Sequence, residues 1–383
     1  MPCIFRSIFA VAAIGLALSG CASGPAAIDA RSADHALPQV RIAPYQARFG
    51  RSQPVVAVVG DNRSTELTDY VVPYGILRQA GVAQVVAVST DAGPIRTTTS
   101  TGLPSFQIQA EATIAQFDAR FPDGADYVVV PASRGDGELP RWIAAQVARG
   151  ATIVSICNGA QIVAKSQAMN GHLATAHWST EADRMSSQPA VRWVRNSRYV
   201  ADRNWVSSAG VSASIPVSIA LVEALAGRQR ADGLASELAL NDWSARHDSD
   251  AFQPRLGKNL QALASTLYTN AWFYKTERLG LPVAADVNEV ALALTTDAYS
   301  STGRSQLFVV ADSKAPLRTR HGLLLIPDRT SGQASDVDRL LPPMDDTPSA
   351  AVLDQALAGI ARSYGRGTAF GVALLLEYPD FRP

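Results

Sequence analysis

Residues 153–164 read IVSICNGAQIVA, and this segment indicates the fold class. Its first four residues suit a buried strand, and residues 159–164 suit the first turns of a helix. Cys157 lies between the two. A nucleophile at a strand-to-helix turn is the arrangement of a nucleophile elbow, in which the turn presents the side chain and a glycine, here Gly159, lets the backbone pass closely. We therefore predict that Cys157 is a reactive residue at the carboxyl end of a strand.

Strand-like and helix-like segments alternate around this elbow. The strand-like runs cover 55–59, 85–89, 106–110 and 127–130, and the helix-like runs cover 70–79 and 140–149. Apolar strands alternating with helices predict an α/β fold with a doubly wound, mostly parallel sheet. Ligands of such sheets bind beyond the carboxyl ends of the strands, where Cys157 is expected to lie.

The N-terminus carries an export signal. An apolar run over residues 8–18 is too short to span a bilayer permanently, and Leu18-Ser19-Gly20-Cys21 follows it. This segment resembles a bacterial lipoprotein signal, whose cysteine becomes the lipidated first residue. The resemblance implies a signal peptide over 1–20, lipidation at Cys21 and, from Ala22, an outer-membrane location facing the periplasm. The alternative is an ordinary secretory signal with a chance cysteine.

The three cysteines of the chain leave one free thiol. Cys3 would be removed with the signal and Cys21 would be acylated, so Cys157 could form no intramolecular disulfide. The N–H groups at a helix start favour a thiolate, and we expect them to lower the pKa of Cys157. The alternative is a buried structural cysteine, which is common in protein cores.

Composition narrows the classes of partner. Apolar residues make up 47% of the chain, and 34 basic residues balance 34 acidic ones. Without a basic excess or a basic run, the sequence does not favour nucleic acid as a partner. We expect a small-molecule ligand and predict no cofactor and no metal, because the histidines show no ligand spacing with cysteines or carboxylates. A homodimer is possible.

Three segments carry a resemblance to a known family. Residues 153–164, 170–178 (NGHLATAHW) and 205–211 (WVSSAGV) resemble the ThiJ/PfpI superfamily, which is class I glutamine amidotransferase-like. The likeness covers about 55–243 and is nearest the branch of isocyanide hydratases and of the ligand domains of arabinose-operon-type regulators. It implies a flavodoxin-like fold and a cysteine nucleophile with hydratase or hydrolase-type chemistry on a small molecule. The alternative is a non-enzymatic binding or redox-sensing domain.

The resemblance also implies partners for the thiol. Asp69 stands four residues before Pro73, as the carboxyl of the family does, and would handle protons; Glu66 is the competing carboxylate. His177 matches a position close to the nucleophile and would orient or activate the thiol. Its alternative role is that of a hydrogen-bonded core histidine.

The sequence departs from the family pattern at two places. Ala132-Ser133 stands where the family usually has Gly-Gly, whose N–H groups stabilise an oxyanion, so the Ser133 hydroxyl would have to replace a donor. Asn158 follows the cysteine where peptidase-like members have histidine, which disfavours protease activity. Asn158 could still donate a hydrogen bond to substrate.

We divide the chain into a signal (1–20), a flexible tether (21–50), a ThiJ/PfpI-like domain (51–248) and a C-terminal α/β region (249–383). In this last region we predict one long helix over 254–280 with a core-facing apolar stripe, strands over 287–295, 306–311 and 317–327, and closing helices over 349–376. Residues 315–319 (APLRT) echo 93–97 (GPIRT). The echo suggests a degenerate second copy of the front half that ends before any cysteine elbow.

Overall fold

A computed structural model describes residues 27–29 and 41–382 of the chain. The predicted signal peptide and the lipidation site Cys21 lie outside the described residues. Within residues 27–29 and 41–382, no helix combines the length and the apolar character needed to cross a membrane.

The first two-thirds of the chain form the predicted α/β architecture. In chain order its elements are β1 (Ile28–Asp29), β2 (Val55–Gly60), β3 (Thr65–Glu66), α1 (Leu67–Ala80), β4 (Gln84–Ser89), β5 (Ile95–Thr98), β6 (Pro104–Gln109), β7 (Ala112–Thr113), α2 (Ile114–Arg120), β8 (Tyr127–Val130), α3 (Leu139–Ala148), β9 (Thr152–Ser155), α4 (Gly159–Lys165), β10 (Leu173–Ala174), α5 (Glu181–Ser187), β11 (Arg192–Arg195), β12 (Tyr199–Asp202), β13 (Trp205–Ser208), α6 (Ser214–Ala226) and α7 (Arg228–Glu237).

The central sheet has seven strands in the order β12-β13-β9-β8-β2-β4-β7. All neighbouring pairs are parallel except β12 with β13. Every residue of β2 and β8 is buried, because helices cover both faces. Val56 and Val58 pack into one apolar core, while Val55, Ala57 and Val59 pack into the other. The sheet is therefore doubly wound, as the continuous valine runs predict.

Part of the predicted tether is structured. Strand β1 pairs in parallel with β11, Ile42 is buried, and the Tyr45 N–H donates to the carbonyl of Ala224. Arg48 and Arg51 both form ion pairs with the buried carboxylate of Asp126. The expectation of a flexible tether up to residue 50 is therefore corrected for residues 27–29 and 41–50, whose hydrogen bonds fix them to the domain.

The last third contains a second, smaller α/β unit. Its elements are α8 (Leu260–Ala264), α9 (Asn270–Phe273), β14 (Glu277–Pro282), α10 (Glu289–Ser300), β15 (Ser305–Ala311), β16 (Leu317–Arg318), β17 (Leu324–Ile326), β18 (Arg329–Thr330), β19 (Arg339–Leu340), α11 (Val352–Tyr364) and α12 (Arg366–Leu375). A four-stranded parallel sheet has the order β18-β15-β14-β19.

The second unit repeats the element order of the first. The series β2-α1-β4-β5-β6-β7 has its counterpart in β14-α10-β15-β16-β17-β18, and both echo segments open an antiparallel hairpin. Helices α6 and α11 each have 13 residues, and α7 and α12 each have 10. Between β19 and α11 the second unit has no counterpart of β9. The predicted half-repeat that stops before an elbow agrees with this order of elements.

The two units pack into one body. Helix α1 packs on α10 so closely that a Cβ atom at Gly75 would lie 2.6 Å from Cγ2 of Val290. Strand β6 pairs with β17 in a five-stranded sheet of order β16-β17-β6-β5-β3. One apolar core contains residues of both units. The C-terminal unit is therefore positioned to complete the site of the first.

Two predictions for the C-terminal unit are wrong. The single helix over 254–280 is replaced by α8, a π-helical turn (Ser265–Thr269) and α9, after which the chain enters β14. Of its predicted core stripe only Leu263 is buried, whereas Leu256, Leu260, Leu267 and Trp272 are exposed. The predicted strand over 287–295 is instead the buried helix α10, since an apolar run enclosed on all sides has the same composition in either state.

Candidate active site

Cys157 occupies the predicted elbow between β9 and α4. Its backbone φ is 54°, in the left-handed region that residues with a side chain rarely adopt. The turn is tight because a Cβ atom at Gly159 would lie 2.1 Å from the carbonyl oxygen of Val130. The Cys157 N–H donates to Oγ of Ser208 at 3.4 Å. Backbone strain of this kind persists where the surrounding structure holds it and is concentrated at functional sites.

Cys157 lies at a cavity of about 390 Å³. The cavity is lined by Ser64, Glu66, Thr98, Thr99, Ser100, Gly102, Ala132, Ser133, Arg134, Cys157, Asn158, His177, Ser179, Val211 and Leu375. The structure thus brings six predicted site residues to one cavity. The other two, Asp69 and Gly159, are buried behind this lining.

The thiol differs from the sequence expectation. Cys157 is only 6% exposed, and burial raises its pKa well above the usual value. The nearby carboxyls of Asp69, Glu66 and Glu377 raise the pKa further. The N–H of Asn158 acts in the opposite direction but is outweighed. The predicted lowering of the thiol pKa is therefore wrong, because desolvation and neighbouring negative charge exceed the effect of a short helix.

Two carboxyls lie beside the thiol at the start of α1. Glu66 caps the helix, since its Oε2 accepts from the Asp69 N–H at 2.6 Å and from Oγ1 of Thr68 at 2.8 Å. Oδ2 of Asp69 accepts from the Ala132 N–H at 3.0 Å, while Oδ1 is buried without a hydrogen-bond partner. Burial raises the pKa of Asp69 to about 8 and that of Glu66 well above its usual value. Burial thus favours the protonated form of each carboxyl.

A third carboxyl comes from the C-terminal unit. Asp297 of α10 accepts hydrogen bonds from the N–H and the hydroxyl of Ser100, at 2.8 and 2.5 Å. The same Ser100 hydroxyl reaches Oε1 of Glu66 at 3.5 Å. Burial raises the pKa of Asp297 as well. The sequence gives no signal for this residue, because only the packing of α10 brings it near the cavity.

His177 faces the cavity but does not form the predicted Cys–His pair. Its Nε2 donates to the carbonyl of Leu375 at 2.9 Å, and its Nδ1 accepts from the N–H of Ser179 at 3.2 Å. Burial lowers the pKa of His177, which keeps the ring neutral. With both nitrogens engaged, the ring has no lone pair free for the thiol proton. His177 forms a wall of the site, which agrees with the alternative of a hydrogen-bonded core histidine.

Glu377, just after α12, fixes this wall. Its carboxylate accepts from the Trp178 N–H at 2.9 Å, the Gly210 N–H at 3.0 Å and Nε2 of His247 at 3.0 Å. Burial acts to raise the pKa of Glu377, but these hydrogen bonds, above all the one from His247, lower it to about 2. Sequence reasoning missed Glu377, because its partners lie 130 or more residues away in the chain.

The substituted pair Ala132-Ser133 has an altered hydrogen-bond pattern. The Ala132 N–H is already used by Asp69 and so does not point to a ligand. The Ser133 hydroxyl lines the cavity and is buried without a partner. Oγ1 of Thr180 donates to Oδ1 of Asn158 at 2.7 Å and so orients this side chain. The amide N–H groups of Asn158 take no part in this hydrogen bond. Ser133 and Asn158 are therefore the side chains available to hold a polar ligand.

Residues 55–224 match the sequence profile of the DJ-1/PfpI family. This stretch of the chain is therefore similar to a DJ-1/PfpI domain, in agreement with the ThiJ/PfpI resemblance of the sequence motifs.

Known relatives are similar over the same domain. The deglycase PH1704 of Pyrococcus horikoshii and the deglycase PfpI of Pyrococcus furiosus are each 28% identical over 149 residues, which is 37% of this chain and 82% of the relative. Among solved structures, DJ-1beta of Drosophila melanogaster is 20% identical with a TM-score of 0.43, covering 50% of this chain and 100% of that one. A ThiJ/PfpI family protein of Pseudomonas syringae is 21% identical with a TM-score of 0.42, covering 52% and 83%.

Proposed function

We propose that the DJ-1/PfpI-like domain is a cysteine-dependent enzyme of hydratase or hydrolase type that acts on a small electrophile. The observation that carries the proposal is the position of Cys157, on a strained elbow beside the two buried carboxyls of Glu66 and Asp69. A structural cysteine needs neither the strain nor the buried acids. The cavity of about 390 Å³ suits a small ligand.

The proposed reaction uses water as its co-reactant. The sulfur of Cys157 bonds to an electrophilic carbon, and the thiol proton passes through the Glu66–Asp69 pair to the substrate atom that receives the electron pair. Water then adds to the same carbon, the carbon–sulfur bond breaks, and a proton of the water returns to the sulfur. Ser133 and Asn158 hold the atom that gains negative charge.

The relatives suggest which electrophiles to examine first. Two of them are named deglycases, which points to sugar-derived carbonyl adducts. The sequence likeness to isocyanide hydratases points to a carbon triply bonded to nitrogen. In an isocyanide the carbon accepts the sulfur and then water, and no group leaves. In a carbonyl adduct the carbon–nitrogen bond also breaks, and the amine leaves with the proton that the Glu66–Asp69 pair supplies. Both classes fit the same arrangement of thiol and acids.

A second candidate is a binding or redox-sensing domain in which Cys157 oxidises reversibly. The raised pKa of the buried thiol and the loss of the Ala132 N–H as an oxyanion donor favour this candidate. Only the enzyme would form product repeatedly. A binding domain would keep its ligand bound, and a redox sensor would hold one oxidised sulfur per chain, without forming product.

The test is a turnover assay of the mature chain with glycated amines and small isocyanides. We expect product formation that Cys157→Ser abolishes and that Asp69→Asn lowers by about 100-fold or more, as loss of a general acid–base group does. Asp328→Asn is the matched control, because Asp328 is a partly buried carboxyl of raised pKa that does not line the cavity. Equal turnover by Cys157→Ser would exclude the enzyme. Stoichiometric ligand retention without product would establish the binding candidate.

We further propose that the protein is a lipoprotein of the outer membrane, anchored at Cys21 and facing the periplasm. The support is the apolar run followed by Leu18-Ser19-Gly20-Cys21. A Cys21→Ser chain is expected to lose acylation, seen as a change in mass, and to leave the lipidated membrane fraction. Unchanged mass and fractionation would contradict lipidation.

A further inference from the structure

The segment 256–273, which contains α8, the π-helical turn and α9, exposes several large apolar side chains. Leu256, Phe273 and Trp272 are 90%, 81% and 77% exposed. Leu260, Leu267 and Tyr268 add to the same surface. We call these six residues the apolar face. A group of exposed leucines and aromatic rings on one element marks an interaction surface, whereas scattered single residues do not.

The opposite side of this segment is held firmly by the protein. Leu263, Thr266 and Asn270 are buried, and a Cβ atom at Gly371 of α12 would lie 2.0 Å from Oγ1 of Thr266. The amide of Asn270 donates to the carbonyl of Thr302 at 2.8 Å. The helix is thus packed closely on α12, and the apolar face is its outer side.

The charged side chains within the segment that carries the apolar face are all basic. From residue 252 to residue 276 they are Arg255, Lys258 and Lys275. Arg255 pairs with Asp250 and Lys275 with Asp338, while Lys258 and Lys275 are exposed, one before and one after the helix. An apolar face rich in leucine and aromatic rings and flanked by lysines is the composition of a helix that lies in a membrane interface.

The first described residues are linked to the segment that carries the apolar face. The amide of Asn196 donates to Oδ1 of Asp29 at 2.9 Å and to Oδ2 of Asp250 at 3.2 Å. Asp250 in turn pairs with Arg255, which directly precedes the apolar face. Cys21 stands six positions before Ala27 in the sequence, and six residues span at most about 20 Å. A lipid at Cys21 would therefore be tethered by a short connection to this side of the molecule.

We propose that the apolar face inserts into the surface of the membrane that holds the lipid anchor, so that the protein is attached at two places. A second contact would add buried apolar area to that of the lipid anchor. Docking by the apolar face would fix the orientation of the domain on the membrane. The proposal rests on the predicted lipidation and is independent of the chemistry at Cys157.

The test measures vesicle binding by the mature chain without its lipid. The chain lacking residues 1–20 and carrying Cys21→Ser is mixed with vesicles of phosphatidylethanolamine and phosphatidylglycerol, and the bound fraction is measured by flotation. We expect binding that weakens with salt and that Trp272→Ser with Phe273→Ser lowers about tenfold or more, because two large apolar side chains no longer insert. Leu340→Ser is the matched control, since Leu340 is 49% exposed in β19 and outside the apolar face.

Turnover and self-association are measured on the same proteins. The double variant changes no residue that lines the cavity and is expected to keep the turnover of the parent chain. Vesicle binding is measured without substrate, so its result does not depend on whether the chain is an enzyme. Absence of vesicle binding by the Cys21→Ser chain, or equal binding by the double variant, would overturn the proposal. A dimer that the double variant converts to monomer, with no vesicle binding, would assign the apolar face to a second copy of the chain instead.

Discussion

At the scale of single residues, the site is governed by desolvation. Cys157, Glu66 and Asp69 are all buried, and burial raises the pKa of each group. These shifts favour the neutral thiol over the thiolate and the protonated over the charged carboxyls. In the proposed reaction a proton has to leave the sulfur as the new bond forms, and this is the role that we assign to the Glu66–Asp69 pair.

The first prediction concerns the titration of Cys157. Alkylation at this residue, followed by mass spectrometry, is expected to reach half its maximal rate above pH 8.5, the ordinary midpoint of a thiol. Above pH 8 the carboxyl of Asp69 becomes charged and holds back ionisation of the thiol, so Asp69→Asn should speed alkylation there and change it little at pH 7. Asp328→Asn should leave the profile unchanged. A midpoint below 8.5 in the parent chain would contradict the effect of burial.

The second prediction concerns Glu377. Its pKa is about 2 in the folded chain against an ordinary value of 4.5, so the folded state binds this proton less readily than the unfolded state. The resulting stabilisation is fully present above pH 4.5 and is lost as pH falls towards 2. It corresponds to about 3 kcal/mol at neutral pH.

Denaturant unfolding of Glu377→Gln would measure this contribution. The variant is expected to be less stable by about 3 kcal/mol at pH 7, with a difference from the parent chain that disappears near pH 2. Asp232→Asn is the control, because the exposed Asp232–Arg228 pair contributes at most about 0.5 kcal/mol. A stability difference that does not change with pH would show that Glu377 acts through packing alone.

At the scale of elements, the elbow depends on how closely two strands and a helix approach. The start of α4 passes over the end of β8 with no space for a side chain at Gly159. This approach places Cys157 at the rim of the sheet and forces its positive φ. The glycine in the motif is thus explained by backbone contact.

The third prediction tests this contact with two glycines. In Gly159→Ala the new methyl group meets the backbone of Val130 and Pro131, which cannot move aside without shifting β8, and we expect a loss of about 3 kcal/mol or more. Gly367→Ala in α12 is the control, because no atom lies within 4 Å of a Cβ there. That change should be neutral or stabilise by about 1 kcal/mol, as alanine favours helix. Equal effects of the two substitutions on the thermal midpoint would contradict the tight elbow.

At the scale of the whole molecule, the C-terminal unit completes the site of the first unit. Asp297 holds Ser100, Leu375 accepts from His177, and Glu377 anchors the segment around Trp178. Helix α10 also covers α1, and the two units share one apolar core. A repeat without an elbow of its own has thus become a wall and a support for the active elbow.

The fourth prediction follows from this dependence. A chain ending at residue 248 is expected to be insoluble or to unfold at low denaturant, since it would expose the apolar surface of α1 and leave His177 without Leu375 and Glu377. Co-expression of residues 249–383 as a separate chain should restore solubility and the alkylation profile of Cys157. A soluble, cooperatively folding 41–248 fragment with the alkylation profile of the full chain would refute the dependence.

Several features followed from the sequence alone. The doubly wound sheet, the elbow and the cavity at its rim could be predicted, because valine runs, a glycine and a cysteine at fixed spacing act over short distances in the chain. The half-repeat could be suspected from five residues that open equivalent hairpins. The long helix over 254–280 and the strand over 287–295 were predicted wrongly. Apolar content alone does not show which side chains the rest of the fold will bury.

The pairing of distant residues was decided by the tertiary structure. Asp297, Leu375 and Glu377 support the cavity by bonds to Ser100, His177 and Trp178, which lie 197 or more residues away in the chain, and no local pattern marks them. The ionisation of Cys157 was also decided there. The helix start that favours a thiolate is visible in the sequence, but the burial and the carboxyls that oppose it exist only after the two units have packed together.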